Sequence, residues 1–184
     1  MPQDEEVADD EVLVGPRIML RSPRADDAEA LFARLASDPR VTEFSTWRPH
    51  RDVVETRRVI QQLSNARGDL VWILAMQDTG EVIGEFGYRR PQAHAVELGY
   101  CLAREWWGQG LISETLGVVL EWFARDRSVY RVRATCHIDN SRSARLLEAA
   151  GLCLEGRLRR YAVFANSSPQ PQDGLLFAKA MREG

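Results

Sequence analysis

The segment from 97 to 114 constrains the fold more than any other part of the chain. It begins as an apolar strand, passes through a turn that contains Gly108 and Gly110, and continues directly into an amphipathic helix. A helix that begins at such a turn presents unpaired backbone N–H groups and the positive end of its dipole at one point. Because glycine lacks a Cβ atom, an anion can approach this backbone closely. The segment therefore predicts a binding site for a phosphate or pyrophosphate group.

The glycine turn could instead belong to another nucleotide-binding motif or be purely structural. A Walker A loop requires the pattern GxxxxGK[ST], which the chain lacks, and a dinucleotide-binding fingerprint requires a third glycine where the chain has Ser113. The turn could also be a purely structural connection between a strand and a helix, because short glycine patterns often occur by chance. The glycines alone leave the anion site and the structural turn both open.

Hydrophobic periodicity on either side of this segment predicts the remaining elements. Alternating and helical patterns follow one another in the order β-α-α-β-β-β-α-β-α-β-β, with hairpin-linked strands first and helical crossovers later. The predicted strands are 12–21, 70–76, 82–88, 94–102, 130–136, 152–164 and 175–181, and the predicted helices are 24–38, 53–66, 111–125 and 140–150. We therefore expect a single α/β (α+β) domain with a mixed, mostly antiparallel central sheet and helices on both faces.

The composition is typical of one compact domain. The 184 residues include 45% hydrophobic residues, 24 basic side chains and 27 acidic side chains. Acidic residues are concentrated in residues 1–11, which we expect to form a disordered acidic tail before a domain over 12–184. The remainder is only mildly basic, and no apolar run approaches the ~20 residues of a membrane span. We expect a cytoplasmic monomer or homodimer that uses neither a nucleic acid nor a membrane as partner.

Cysteine and histidine do not form a recognisable metal site. The three cysteines lack CxxC spacing, and the three histidines share no spacing typical of metal ligands. Cys101 and Cys136 lie in apolar strand-like runs, where burial raises the pKa of a thiol and lowers its reactivity. We therefore interpret both as packed side chains rather than nucleophiles.

A second motif follows the next strand, where Asn140 and Ser143 begin a helix that Gly151 closes. Together with the Trp-Trp-Gly-Gln-Gly turn, this pattern resembles the GNAT family of acyl-CoA-dependent N-acyltransferases, especially the branch of the ribosomal-protein alanine N-acetyltransferases. The similarity spans most of the chain and also includes 17–21, 26–28, 38–39, Gly84, 97–100 and Asp173. It implies a GNAT-like fold with splayed central strands. It also implies acetyl-CoA as donor, and as acceptor a protein N-terminal α-amino group or a small-molecule amine.

The resemblance implies how acetyl-CoA would bind. In this family two central strands splay apart, and the pantetheine arm of the donor lies between them. The backbone N–H groups of Tyr100 and Leu102 would then bond to the thioester carbonyl and the pantetheine amides, because donors released by splaying need partners. Arg145 could reach the nucleotide phosphates or remain solvated. The implied binding residues are Tyr100, Cys101, Leu102, Trp107, Gly108, Gln109, Gly110, Leu111, Ile112, Asn140, Ser143 and Arg145, and no metal is implied.

The resemblance also implies catalytic roles for Glu97, Ser143 and Asn140. Glu97 is the candidate general base, because an amine must lose a proton to attack a thioester and a nearby carboxylate can accept it. The alternative is a structural Glu97 that pairs with Arg131 or Arg133 across the sheet. Ser143 and Asn140 would assist the departing thiolate, although Asn140 could also simply cap its helix.

The chain departs from the family pattern at three positions. Trp107 stands where the phosphate motif often begins with Arg or Gln, and Ile112 stands where it has Gly or Ala. Leu147 replaces a tyrosine that serves many relatives as general acid, so Ser143 or an ordered water would protonate the thiolate. Leu147 also motivates an alternative function, a non-catalytic acyl-CoA-binding sensor or interaction module. A general nucleotide-binding domain is a third hypothesis.

The acceptor is expected opposite the pantetheine. The segments that would wall it are 44–47, the helix that begins at Val53, and the loop over 164–173. These segments carry aromatic residues and few acids, so they do not predict a strongly cationic polyamine site.

Overall fold

A computed structural model describes residues 12–64 and 69–182. The expected disordered tail over 1–11 lies outside these residues, as does the predicted end of the second helix at 65–66. The strands are β1 (Leu13–Val14), β2 (Ile18–Arg21), β3 (Asp69–Met76), β4 (Val82–Gln92), β5 (Ala95–Leu102), β6 (Arg131–His137), β7 (Cys153–Ala162) and β8 (Gln172–Ala180). The α-helices are α1 (Asp27–Leu31), α2 (Val53–Ser64), α3 (Leu111–Arg125) and α4 (Ser141–Ala149). A π-helical turn (Phe32–Ala36) continues α1, and a 3-10 turn (Arg104–Trp106) precedes α3.

The described strands form one eight-stranded sheet in the order β1-β2-β3-β4-β5-β6-β8-β7. Neighbouring strands of this sheet are antiparallel except β5 and β6, which pair in parallel. A parallel pair requires a crossover connection, and α3 supplies it. The prediction of a mixed, mostly antiparallel sheet in a single α/β domain is confirmed.

The first predicted strand, over 12–21, is wrong as a single element. It is a short hairpin in which Leu13 pairs with Leu20 in antiparallel register. The N–H of Gly15 donates to the carbonyl of Ile18 at 2.8 Å and closes the turn. Apolar residues continue through this turn, so the hydrophobic pattern hides the reversal that a Gly-Pro pair permits.

Helices pack against both faces of the sheet, as predicted. On one face, α3 places Leu116 and Phe123 in a large core cluster with Phe86 of β4. On the other face, α1 and α2 contribute Leu31 and Ile60 to a smaller cluster beside β3. Because successive strand residues point to opposite faces, the central strands contribute to both clusters. No helix in the described ranges has the length and apolarity needed to span a membrane.

The parallel strands β5 and β6 separate halfway along their length. Their described pairing begins at Ala95 and ends where Leu98 meets Ala134. Beyond that point β5 stays paired with β4 as far as Leu102, and β6 stays paired with β8 as far as His137. The strands therefore splay, as predicted, and leave a gap between the second halves of β5 and β6.

Candidate active site

Two cavities lie against the splayed strands. The first, which we call the carboxylate cavity because Glu85 and Glu97 line it, has a volume of about 730 Å³. The second, which we call the glycine-turn cleft because Gly108 and Gly110 line it, has a volume of about 770 Å³. Six residues line both spaces: Phe44, Ser45, Tyr100, Cys101, Asn140 and Ser143. The two cavities therefore meet beside the gap, where two ligands could be brought into contact.

The turn before α3 presents its backbone to the glycine-turn cleft. Gly108 and Gly110 adopt left-handed φ values of +77° and +76°. A Cβ atom added at Gly108 would meet no atom within 4 Å, so the backbone there faces open space. Gly110 precedes α3 without a side-chain cap, so the N–H groups of the first helical turn keep their capacity to bind a ligand. This geometry supports the predicted anion site.

Arg17 braces the glycine turn from outside the cleft. Its Nη1 donates to the carbonyl of Gln109 at 3.0 Å, and its Nε donates to the carboxylate of Glu114 at 2.8 Å. The side chain of Gln109 donates to the carbonyl of Glu105 at 3.0 Å instead of reaching into the cleft. Leu111, Ile112 and Arg145 do line the cleft. The predicted role of Gln109 in binding acetyl-CoA stays a prediction, and its backbone rather than its side chain would make the contact.

The backbone donors of β5 point into the gap. The N–H of Ala103 donates to the carbonyl of Ile83 on β4 at 2.8 Å. Because N–H groups alternate in direction along a strand, those of Tyr100 and Leu102 face the side of β6. The described part of β6 does not pair with either residue. Both groups are therefore placed to bind a ligand that lies between the strands.

Two adjacent tryptophans line the glycine-turn cleft. Trp107 donates from its indole Nε1 to the carbonyl of Leu102 at 2.8 Å, and the guanidinium of Arg142 lies 4.0 Å from the centre of its ring. Trp107 thus fixes the end of β5 where the family motif often has Arg or Gln. The indole N–H of Trp106 is buried without a hydrogen-bond partner among the described residues. Such a donor is costly unless a ligand accepts its hydrogen bond.

Tyr100 and Ser143 join β5 to α4 at the meeting point of the two cavities. Their hydroxyl oxygens lie 2.8 Å apart in a hydrogen bond. Asn140 accepts the N–H of Ser143 through its Oδ1 at 3.1 Å, which confirms it as the helix cap. Burial raises the pKa of Tyr100 to about 12, so the phenol keeps its proton at neutral pH. Leu147 on α4 is buried in the core, and the Tyr100 phenol reaches Ser143 from β5.

Two arginines hold the carboxylate of Glu97. Arg133 donates from Nε to Oε2 at 2.8 Å, and its Nη2 lies 2.7 Å from the same oxygen in an ion pair. Arg89 donates from Nη2 to Oε1 at 2.7 Å. Of the two partners considered in the structural alternative, Arg133 is the one found, because Arg131 pairs with Glu155. Glu97 lines the carboxylate cavity with both oxygens engaged. Its role as general base stays a prediction.

Glu85 is the second carboxylate in this cavity, and the sequence analysis missed it. It lies on β4 directly opposite Cys101 of β5. No hydrogen bond or ion pair reaches its carboxylate from residues 12–64 or 69–182, and desolvation raises its pKa to about 7. In the sequence, Glu85 is an acidic residue between Gly84 and Phe86 in the predicted strand over 82–88, which has no other charged residue. Acidic side chains are rare in buried strands and often mark functional sites there.

The surroundings of the two thiols beside the gap disfavour the thiolate form. Burial raises the pKa of Cys101 to about 12 and also raises the pKa of Cys136. Cys136 is buried, which confirms its interpretation as a packed side chain, whereas Cys101 is half-buried and lines both cavities. In the described ranges, no group of three His, Cys, Asp or Glu side chains is arranged to hold a metal ion.

Known proteins match the chain over most of its length. An acetyltransferase (GNAT) domain family matches residues 17–152. The chain is 31% identical to the uncharacterised N-acetyltransferase YoaA of Bacillus subtilis, over 86% of this chain and 91% of that protein. It is 29% identical to the ribosomal-protein-serine acetyltransferase of Escherichia coli, over 62% and 65%. The ribosomal L7/L12 alpha-N-protein acetyltransferase RimL, solved with coenzyme A, has the same fold at a TM-score of 0.80 and 21% identity, over 92% and 98%. With its splayed strands and its glycine turn before α3, the chain belongs to the GNAT acetyltransferase family.

Proposed function

We propose that the protein transfers an acetyl group from acetyl-CoA to a primary amine by direct attack in a ternary complex. The observation that carries this proposal is the meeting of the glycine-turn cleft and the carboxylate cavity beside Tyr100 and Ser143. A donor in one space and an acceptor in the other would be held in contact, which lowers the entropic cost of their reaction. No covalent enzyme intermediate is required.

The glycine-turn cleft fits acetyl-CoA in charge and in hydrogen bonding. The backbone around Gly108 and Gly110 would hold the pyrophosphate, and Arg145 would add positive charge to the same wall. The N–H groups of Tyr100 and Leu102 would bind the pantetheine arm and the thioester carbonyl. Bound acetyl-CoA supplies an acetyl group that its thioester linkage activates.

Glu85 is our proposed general base. Its carboxylate has no partner among the described residues, and its pKa of about 7 lies near physiological pH. A base with such a pKa is populated as the carboxylate and still accepts a proton from an ammonium group effectively. Glu97 is the alternative base, but it would have to act while it accepts hydrogen bonds from Arg89 and Arg133.

Ser143 is our proposed donor to the departing thiolate, supported by the phenol of Tyr100. The hydrogen bond of 2.8 Å between their hydroxyl groups allows Tyr100 to donate to Ser143 while Ser143 donates to the departing sulfur. Both hydroxyl groups keep their protons and stabilise the developing thiolate, which takes its proton from solvent after release. The phenol thereby supports the leaving group from β5 through Ser143, whereas in many relatives a tyrosine on α4 protonates it, at a position where this chain has Leu147. Asn140 holds Ser143 in place as the helix cap.

Matched substitutions of the two carboxylates test this assignment. Glu85→Gln is expected to lower kcat/KM for the amine by about 10²- to 10⁴-fold, the usual contribution of a positioned base. The thermal shift that acetyl-CoA produces should remain, because Glu85 lies outside the glycine-turn cleft. Glu97→Gln is the control, and its main expected effect is lower stability, because it breaks ion pairs with Arg89 and Arg133.

The opposite pattern would contradict the assignment. Full activity of Glu85→Gln together with an inactive but folded Glu97→Gln would identify Glu97 as the base. Stabilisation by acetyl-CoA with no acetylation of any amine would support the alternative function, a non-catalytic acyl-CoA-binding module. Stronger stabilisation by ATP or NAD than by acetyl-CoA would support the general nucleotide-binding domain.

A further inference from the structure

We infer that Tyr161 is an acceptor-binding residue, which a bulge in β7 directs into the carboxylate cavity. Asp173 is the positioning residue that holds this bulge. The inference rests on the proposed function and adds a contact on the acceptor side of the site. It depends on the backbone of β7, the two bonds of Asp173 and the surroundings of the Tyr161 ring.

The backbone of β7 is irregular directly before Tyr161 and at that residue. The flanking pairs of the two strands enclose three residues on β7 and only Asp173 on β8: Leu158 with Gly174, and Ala162 with Gln172. In the described part of the chain, Arg160 is the one non-glycine residue with a positive φ, at +49°. Bulges occur often beside active sites, where they change the direction of a side chain. A non-glycine residue keeps such a φ only where its surroundings hold it.

Asp173 holds the bulge from the facing strand. Its Oδ1 accepts the backbone N–H of Arg160 at 2.9 Å, and its Oδ2 accepts the Nε–H of Arg157 at 2.6 Å. The N–H of Arg160 and the guanidinium of Arg157 lower the pKa of Asp173, so its carboxylate is ionised at neutral pH. Charge-assisted hydrogen bonds of this kind are stronger than neutral ones. Asp173 therefore stabilises the backbone conformation that Arg160 would not adopt by itself.

The Tyr161 ring lies against the wall that β6 and β8 form beside the gap. A Cβ atom added at Gly174 would lie 3.1 Å from Cδ1 of Tyr161 and 3.0 Å from Cγ2 of Thr135. The same atom would lie 3.3 Å from the carbonyl oxygen of Cys136. Gly174 therefore leaves the space that the ring needs to approach β6. Tyr161 and Thr135 both line the carboxylate cavity, so the bulge brings a side chain of the outer strand β7 to this cavity.

Tyr161 differs from the other aromatic residues of the cavity in having no ring partner. Each of the other phenylalanine, tyrosine and tryptophan side chains that line it contacts a second ring: Phe44, Trp47, Tyr88, Tyr100 and Phe164. Tyr161 is 40% exposed, and its hydroxyl has no hydrogen-bond partner among the described residues. Because an aromatic ring offers a large contact area, Tyr161 can pack against the body of an acceptor.

The loop that follows Tyr161 is fixed to the other aromatic segment of the cavity. Asn166 donates through its Nδ2 to the carbonyl of Thr42 at 2.6 Å and to the carbonyl of Trp47 at 3.0 Å. Bonds within the protein therefore hold the chain on both sides of Tyr161, at the bulge and at Asn166. An acceptor would meet a side chain whose position is already set, which reduces the entropic cost of binding.

Substitutions of Tyr161 test the contact through separate effects on KM and kcat, with release of free thiol at saturating acetyl-CoA as the readout. The probe acceptor is whichever of phenethylamine, pentylamine and an alanine-initiated tetrapeptide gives the highest kcat/KM with the wild type. Tyr161→Ala is expected to raise KM for this amine about tenfold, because it removes an aromatic contact. Both kcat and the KM for acetyl-CoA should change less than about twofold, as expected for a residue that only binds the acceptor.

Two further variants show whether the effect belongs to the Tyr161 ring. Tyr161→Phe keeps the ring, so its KM should lie nearer to the wild type than that of Tyr161→Ala. Tyr130 is 55% exposed and lines neither cavity, so Tyr130→Ala is the matched control and should leave KM unchanged. A thermal denaturation curve for each variant establishes that it folds.

A double-variant cycle tests the role of Asp173. Asp173→Ala removes both bonds that hold the bulge and should raise KM for the amine about as much as Tyr161→Ala does. The protein that carries both substitutions should show no further increase, because the two residues act as a unit. Asp173→Asn keeps an oxygen that can accept the N–H of Arg160, so its KM should lie between those of the wild type and Asp173→Ala.

The possible results separate this inference from the proposed function. An unchanged KM in folded Tyr161→Ala, or an equal rise in KM in Tyr130→Ala or Tyr161→Phe, would overturn the contact while the wild type still acetylates the amine. Independent, additive increases in the double variant would overturn the role of Asp173. Absence of turnover by the wild type with every amine, while acetyl-CoA still raises the melting temperature, would refute the proposed function and the inference together.

Discussion

Glu85→Gln should stabilise the protein at alkaline pH even though it impairs the reaction. Burial raises the pKa of Glu85 from 4.5 to about 7. An acid with a raised pKa binds its proton more tightly in the folded state than in the unfolded state. The stability it contributes is therefore complete below about pH 4.5 and is lost as the pH rises through about 7. The difference between the two pKa values corresponds to about 3 kcal/mol, at about 1.4 kcal/mol for each pH unit.

Denaturant unfolding of the wild type and of Glu85→Gln measures this effect. Subtracting the two free energies of unfolding at each pH cancels the titration of carboxylates that both proteins share. From about pH 5 to about pH 8, the stability of the wild type relative to the variant should fall by about 2 to 3 kcal/mol. A difference between the two proteins that does not change with pH would refute the reasoning, because Glu85 would then titrate alike in the folded and unfolded states.

Three further predictions concern the Tyr100 phenol, the glycine turn and the cysteines. Tyr100→Phe keeps the backbone N–H but removes the phenol from Ser143, so steady-state kinetics should show kcat reduced by about tenfold or more with little change in KM for acetyl-CoA. Gly110→Ala places a side chain at a φ of +76°, so thermal or denaturant unfolding should show a loss of about 1 to 2 kcal/mol, and calorimetry should show weaker acetyl-CoA binding. Iodoacetamide should alkylate the exposed Cys153 well before Cys136, whose thiol is buried with a raised pKa, as peptide mass spectrometry can measure.

Periodicity predicted the elements with clear local patterns. The predicted helix over 111–125 coincides with α3, because its apolar stripe matches the buried face of the helix. The predicted strands over 70–76 and 82–88 form the hairpin of β3 and β4. The hairpin of β1 and β2 was not predicted, because the same apolar alternation continues through its turn. Hydrophobic patterns report which side of a strand is buried, but they do not report where the chain reverses.

The parts of the site formed by residues close in sequence were predicted, and the parts that depend on how strands pair with one another were missed. The glycine turn and the Asn140 cap are each formed by residues close in sequence, so their spacing carried the information. Glu97 meets Arg89 only because β4 and β5 pair in one particular register. That register also sets Glu85 opposite Cys101, where its carboxylate has no hydrogen-bond partner among the described residues. The contact of Tyr100 with Ser143 depends in addition on where α4 packs. Such pairings across strands and helices cannot be deduced from the spacing of residues along the chain.

We expect acetyl-CoA and an amine to react where the two cavities meet. The most direct measurement is mass spectrometry after incubation of the protein with phenethylamine and acetyl-CoA labelled with ¹³C in the acetyl group. The account predicts labelled N-acetylphenethylamine in the same amount as the coenzyme A released, with no labelled acetyl group on the protein. Acetyl-CoA binding without labelled product from this or any other primary amine would contradict the claim.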